Sequence, residues 1–306
     1  MTSTILTFHR IHPKRDKLWD PIDPRLFRNL LRFVGKHYTV VPLEELCLHS
    51  PKTPKKPLAI TFDDGYRDYI DYALPILNEF KFHSAMYVVT DCVEKDVPTW
   101  TYVFDYLFSN SLKLKIAETD YGEFCKDYQV FQWAGKPEQM TYAGRFKQHL
   151  KKAPASVRNN VLQHLTASLS DVDLPKNLMM TWDDLRSLKS ERVELGSHTV
   201  THPPLATVED ENELEIEIAG SRKIMKDNLG YNPVTISYPV GSYSPRVKEM
   251  SRKAGYQIGL AVDHVLYDNN KRDHFAIPRI EMYNDSYFRN VLRIRGIEAF
   301  VKSIVR

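Results

Sequence analysis

The sequence predicts an α/β protein built around a parallel sheet or barrel. Three observations predict it. Short apolar, β-branched runs end in turn residues, as in Leu58 to Phe62 (LAITF) followed by Asp63-Asp64-Gly65. Apolar residues at helical spacing follow most of these runs. The alternation of strand and helix resumes beyond a long helical stretch, and there is no internal repeat of about 20–50 residues to indicate a solenoid.

Taken in order, Ile5 to Phe8 reads as a short buried strand. Asp23 and Pro24 start a helix as N-cap and first-turn residue, and Leu26, Phe27, Leu30, Leu31 and Val34 form its apolar face. A strand at Tyr38 to Val41, a helix from Leu43 to Leu48 and a loop from Ser50 to Pro57 follow. Leu58 to Phe62 is a buried strand, Tyr66 to Phe80 a helix that Pro75 kinks, and Ser84 to Val89 the next strand. From about Trp100 to Leu178 the pattern is helical, as at Tyr142 to Leu150 and Ser156 to Leu169, with no clean strand. Thr181 with Asp184 makes a capping box, Val193 to Leu195 a strand, and Glu209 to Leu229 a long charged helix with a solvated outer face. Val234 to Tyr238 and Ile258 to Val262 are strands around a helix from Pro245 to Ala254, and Phe275 to Ile280 is a last strand. The chain thus reads as one domain, residues 1–306, with a helical insertion at about 100–178.

Composition narrows the function classes. The 306 residues are 42% hydrophobic and 26% charged, which excludes a disordered or collagen-like chain. Forty-two Lys and Arg against 39 Asp and Glu leave a net charge of +3, too little for binding nucleic acid through many phosphate contacts. No run of about 18 apolar residues predicts a transmembrane helix. The first residues, MTSTILTFHRIHPKRD, lack the pattern of a secretory signal, so a cytoplasmic protein is expected. Cys47, Cys92 and Cys125 are far apart and form no CxxC pair, which agrees with a reducing compartment.

Two segments can carry chemistry. Asp63 and Asp64 sit where a parallel strand ends, the end at which α/β folds gather ligand sites. Adjacent carboxylates crowd like charge and favour a nearby cation, although a polar strand-to-helix turn reads the same way. His198 and His202 follow another strand, in GSHTVTHPPL, and a spacing of four places both imidazoles on one side. Either pair alone is ambiguous. Together, two His and one Asp suit a divalent metal with an open position, and the second Asp is free to act as general base.

On these residues the chain resembles the NodB-homology polysaccharide deacetylases, carbohydrate esterase family 4. The family's TFDDG motif stands at Thr61-Phe62-Asp63-Asp64-Gly65, its HTxxH motif at His198 to His202, and its Pro-x-Gly turn at Pro239-Val240-Gly241 after Tyr238. The resemblance runs from about Ile5 to Ile280 and implies a distorted (β/α)7 barrel. It implies Asp63 as general base and Asp64, His198 and His202 as ligands of a divalent metal, zinc in most members. The metal would polarise the acetamide carbonyl, and the backbone N–H of Val240 would help hold the oxyanion.

Two departures from the family pattern stand out. There is no Leu-x-His near the C-terminal end to supply the proton donor. A subgroup begins instead with Tyr-His or Phe-His on the first strand; Phe8-His9 matches it, so His9 is the expected general acid and His264 the second candidate. Where many relatives carry an Arg two residues before the Pro of the third motif, this chain has Ser237. Arg279, at the end of the last strand, is the residue that could orient the base in its place, and it is counted with Pro239, Tyr243 and Trp100 among the substrate-facing residues. Tyr243 and Trp100 are the aromatic platforms expected to stack on a sugar ring, whereas Trp182 reads as core.

The expected activity is metal-dependent removal of N-acetyl groups from an N-acetylhexosamine-containing glycan or precursor. An acetylated glycan, or a lipid-linked or nucleotide-linked sugar, is the expected partner. A hydrolase of small non-sugar amides and a catalytically silent glycan-binding protein are the other readings. The apolar segment Tyr287 to Val305 could pack on a neighbouring molecule or on its own domain.

Overall fold

The structure is a computed structural model that describes residues 2–48, 55–268, 270 and 273–298. The chain opens with β1 (Thr2–Phe8), α1 (Pro24–His37), β2 (Thr39–Val40) and α2 (Leu43–Leu48). Then come β3 (Pro57–Phe62), α3 (Leu74–Phe80) and β4 (Ser84–Val88). Helices α4 (Thr90–Lys95), α5 (Trp100–Asn110), α6 (Lys136–Leu150), α7 (Ala155–Ser168) and α8 (Trp182–Ser187) lie between β4 and β5 (Val193–Ser197). Next are α9 (Glu211–Glu215), α10 (Ser221–Leu229), β6 (Thr235–Ser237), α11 (Pro245–Lys253) and β7 (Ile258–Leu260). The short strands β8 (Tyr267–Asp268) and β9 (Ile280–Glu281) precede α12 (Tyr287–Ile294).

The strands form a curled parallel sheet in the order β7-β6-β5-β4-β3-β1. On the far side of β1, Leu6 pairs in parallel with Ile280 of β9. Three residues earlier, Ile277 bridges Leu260 of β7, also in parallel. Residues 277–281 therefore join the two ends of the sheet as a seventh stave, and the architecture is the distorted (β/α)7 barrel. Helices cover it because β3 and β4 are buried along their whole length, which only a sheet packed on both faces allows. Leu58, Ile60, Phe62, Met86 and Val88 point outward to α1, α3 and α10. Ala59, Ala85, Tyr87, Ile258, Leu260 and Ile277 fill the other side. This period of two turns Asp63, in step with Ala59 and Thr61, toward the barrel axis.

Helix α1 starts as its sequence predicts. The Asp23 carboxylate accepts from the backbone N–H of Arg25 at 2.8 Å, an N-cap worth about 1 kcal/mol. The capping box at Thr181 and Asp184 is also formed. Three expectations shift, and one pairing is new. The helix expected over Tyr66 to Phe80 changes character just before Pro75: a π-helical turn at Tyr69–Ala73 runs without a break into α3, whose second residue is the proline. The helix expected over 209–229 contains a π turn at Ile216–Gly220. The strand expected over 275–280 reduces to the Ile277 bridge and β9, offset toward the next residue. The antiparallel pairing of β8 with β1 has no counterpart in the sequence reading, because two residues carry no periodicity.

Helices α5 to α7 pack on one another through Phe104, Phe108, Trp133, Phe146 and Leu165, a cluster separate from the barrel core. Helix α12 docks on its own barrel: Val291 and Ile294 join the main core, and Arg295 lies over the Phe33 ring of α1 at 5.3 Å. The rest of the segment expected to run to Val305, and most of the loop expected at Ser50 to Pro57, lie outside the described residues.

Candidate active site

The C-terminal ends of β1, β3, β5 and β6 converge on one cleft of about 490 Å³. At the end of β3 the backbone leaves the strand abruptly. Asp64 has φ 78° and Gly65 φ 86°, so only glycine takes the second position without strain. The turn sends Asp63 and Asp64 to different partners. Asp63 meets Arg279 on both oxygens, with Nη1 to Oδ1 at 2.8 Å and Nη2 to Oδ2 at 2.7 Å. Ser237 Oγ donates to Asp63 Oδ2 at 3.2 Å and accepts from Arg279 Nη2 at 2.8 Å. Burial alone would raise the Asp63 carboxyl, but the Arg279 guanidinium clamped on both its oxygens holds it at about 2. It is a carboxylate at any working pH.

Asp64 turns to the imidazoles. Its Oδ1 lies 3.4 Å from His198 Nε2 and 3.3 Å from His202 Nε2. That oxygen is buried and accepts no hydrogen bond, an arrangement that is costly unless a cation sits beside it. The three candidate ligand atoms lie within 4.8 Å of one another. The Nδ1 of His198 is 2.8 Å from the Ser237 carbonyl oxygen, which as an acceptor leaves Nε2 unprotonated and facing Asp64. The donor set of one carboxylate and two imidazoles fits a divalent ion.

The segment carrying the histidines is neither helical nor extended, contrary to the simple spacing argument. Thr199 and His202 both have positive φ, at 69° and 65°, and the two rings come within 4.9 Å at 68° to each other. A β-branched residue in that region is strained and needs fixing from outside. Glu217 does this. Its buried carboxylate accepts from the backbone N–H groups of Val200 and Thr201, each at 2.9 Å, and from Thr201 Oγ1. Glu217 lies in the π turn, so the face read as solvated carries one buried acid that buttresses the loop. Val240 is the second β-branched residue of the site with positive φ, at 50°, and it is exposed on the cleft wall.

His9, at the end of β1, lines the cleft. Its Nδ1 is 3.7 Å from Glu281 Oε1, and its ring meets Trp19 edge-on at 5.2 Å. His264 lines the cleft too, stacked near Tyr283 with ring centroids 6.3 Å apart. The structure therefore brings Asp63, Asp64, His198, His202, His9, Val240 and His264 together.

The four residues expected to face substrate do not line the cleft. Arg279 is fully buried beneath Asp63 and holds both its carboxylate oxygens. Trp100 fastens the helical cluster to the histidine loop instead of offering a platform: its Nε1 donates to the His202 carbonyl at 2.9 Å, and Arg158 covers its ring. Tyr243 stacks on Tyr238 at 5.6 Å, outside the cleft. Pro239 is buried in the turn that presents Val240. The aromatic residues that do line the cleft are Trp19 and Tyr283. Sequence reasoning missed them, along with Glu281 and Glu217. Glu281 left a signal, since Arg279 and Glu281 alternate at one strand end and share a side; the others left none.

The fold and the site define a class, and sequence comparison agrees. The chain belongs to the polysaccharide deacetylase family, whose profile matches residues 50–125 and 132–259. It is 29% identical over 85 residues to YxkH of Bacillus subtilis (strain 168); the match spans 28% of this chain and 30% of that protein. Among solved structures it is similar to the Streptococcus pyogenes deacetylase PplD in complex with acetate, with a TM-score of 0.63 and 17% identity over 96% of this chain and 98% of that one. It is also similar to a de-N-acetylase from Aggregatibacter actinomycetemcomitans, with a TM-score of 0.63 and 15% identity over 96% and 100% of the two chains. The family is generally dependent on divalent metals. Among the described residues no helix is long and apolar enough to cross a membrane.

Proposed function

We propose that this chain is a metal-dependent hydrolase that removes N-acetyl groups from an N-acetylhexosamine-containing glycan or glycan precursor. The observation that carries the reading is the division of labour between two adjacent carboxylates. Asp64 faces two imidazoles with an unsatisfied oxygen, while Asp63 is clamped by Arg279 and kept ionised. A site built only to hold a metal has no use for the second arrangement, and a glycan-binding protein needs neither.

In this reading Asp64, His198 and His202 hold a divalent ion, zinc being the proposed native metal. When bound, the ion supplies Lewis-acid polarisation of the acetyl carbonyl and a more acidic water. Asp63 takes a proton from the attacking water through an oxygen that Arg279 and Ser237 keep oriented. The strained Val240 turn offers its N–H to the developing oxyanion. His9, turned toward the cleft beside Glu281, gives a proton to the departing amine nitrogen; a general acid of this kind contributes about 10²–10⁴-fold. The acetyl C–N bond breaks, acetate leaves, and the sugar retains a free amine. Helices α5 to α7 are proposed to be an insertion within this single catalytic domain.

The test compares acetate release by the metal-loaded wild type and by Asp63→Asn on N-acetylated glucosamine oligomers, with metal content measured in both. The variant should keep about one equivalent of metal and lose at least ~10²-fold in kcat. Full turnover by Asp63→Asn would sink the assignment of the base. Absence of bound metal in the wild type after reconstitution would sink the reading as a whole.

A further inference from the structure

Helix α6 belongs to the helical cluster, not to the barrel, yet Lys147, Gln148 and Lys151 reach the catalytic cleft. Most charges on the cleft wall are matched. Lys147 Nζ lies 2.5 Å from Asp105 Oδ2. Arg10 donates through Nε to Asp68 at 2.8 Å and is flanked by the Tyr66 and Tyr102 rings, each 5.4 Å from Cζ. Asp20 accepts from Arg15 and Asn284, and Glu281 accepts from Tyr283 and lies beside His9.

Among the basic side chains of the wall, Lys151 is the exception. It is half-buried at the C-terminal end of α6, and among the described residues its Nζ makes no hydrogen bond or ion pair. Asp105 and Glu281 are its acidic neighbours; Asp105 pairs with Lys147 through Oδ2 and Glu281 accepts from Tyr283, and neither forms an ion pair with Lys151. Burial and the adjacent Lys147 push its pKa below the usual lysine value. An ammonium group taken partly out of water without a counter-ion is unfavourable, and an anion brought into the cleft removes that cost. In the reduced dielectric of the cleft, the resulting charge-assisted bond is stronger than one on an open surface.

We infer that Lys151 is a specificity-determining residue that receives an anionic substituent, a phosphate or a carboxylate, carried by the N-acetylated sugar. The inference rests on the deacetylase reading of this cleft and deepens it: the substrate is a charged saccharide and not a neutral polymer of N-acetylhexosamine. The cleft, of about 490 Å³, is large enough to hold a sugar unit with one charged substituent. A phosphate or diphosphate on the anomeric carbon and a carboxylate on the ring or its ether side chain both satisfy the same ammonium group.

The experiment uses the metal-loaded full chain and three probes: di-N-acetylchitobiose, N-acetylglucosamine 1-phosphate and N-acetylmuramic acid. Acetate release and calorimetric binding are measured for the wild type, Lys151→Met and Lys151→Arg. The wild type should favour one or both charged probes. Lys151→Met should raise KM and Kd for the favoured probe about tenfold, leave kcat within about twofold and leave the neutral probe unchanged. Lys151→Arg should restore most of the preference, and its sensitivity to salt. Preference for the first charged probe assigns a phosphate, for the second a carboxylate. Equal binding of all three probes by the wild type overturns the inference. So does an equal loss on charged and neutral probes in Lys151→Met, the pattern of a lysine that only stabilises the end of α6. Binding is read independently of turnover, so absence of acetate release with every probe counts against the deacetylase reading alone, while the binding comparison still decides the role of Lys151.

Discussion

Arg279 reaches Asp63 from a part of the fold more than two hundred residues away in sequence. Ser237, where the family resemblance leads to the expectation of an arginine, bridges Arg279 and Asp63 through its hydroxyl. The guanidinium arrives from the seventh stave and is completed by the Ala261 carbonyl and Thr61 Oγ1. A lysine there would retain the charge and lose the two-pronged contact. Arg279→Lys should therefore lower kcat about 10–100-fold with KM little changed, measured by acetate release at saturating metal. Arg279→Met leaves Asp63 buried without a counter-ion and should cost about 3–5 kcal/mol in denaturant unfolding.

At the scale of elements, the histidine loop depends on how closely β5 approaches its neighbours. A Cβ on Gly196 would fall 2.3 Å from the Tyr87 ring and 2.5 Å from Thr235 Oγ1. Gly196→Ala must push Tyr87 or the strand aside, two residues before His198. The expected cost is about 1–3 kcal/mol, together with weaker metal binding, checked by thermal unfolding and metal titration of one preparation. Gly144→Ala is the matched control. It lies in α6 with open space around it, and should be neutral or stabilising by up to ~1 kcal/mol. The loop's other support is Glu217, placed inward by a π turn in a helix whose sequence shows only a charged face.

Across the whole molecule, Glu194 ties the barrel to its covering helices. It stands on β5 and accepts from the backbone N–H groups of Leu43 and Glu44 at 2.7 and 3.0 Å, at the start of α2. Burial pushes its pKa up to about 7 against those two bonds. A carboxyl raised in the folded state binds its proton more tightly there than in the unfolded chain. Its contribution to stability is complete below the unfolded value and is lost as pH rises through about 7. The melting temperature of the wild type should fall more steeply between pH 5 and 8 than that of Glu194→Gln. Parallel curves for the two proteins would remove Glu194 as the source of the slope.

The sequence by itself determined the α/β class, the order of most elements and the cluster of Asp63, Asp64, His198 and His202. These are local: a buried strand, a Gly after two acids and a short histidine spacing need few neighbours to be read. The tertiary structure decided what faces the cleft. It put Arg279 under Asp63, drew Trp100 away to brace the His202 loop, and brought Trp19, Tyr283, Glu281 and Lys151 to the walls. It also closed the barrel through Ile277 and Ile280, two contacts too short to leave a periodic signal. The physical reason is the same in each case. Side-chain periodicity reports which face of an element is buried, but the partner across that face is set by barrel closure and by how a separately cored helical cluster leans on it, and these depend on residues more than a hundred positions apart.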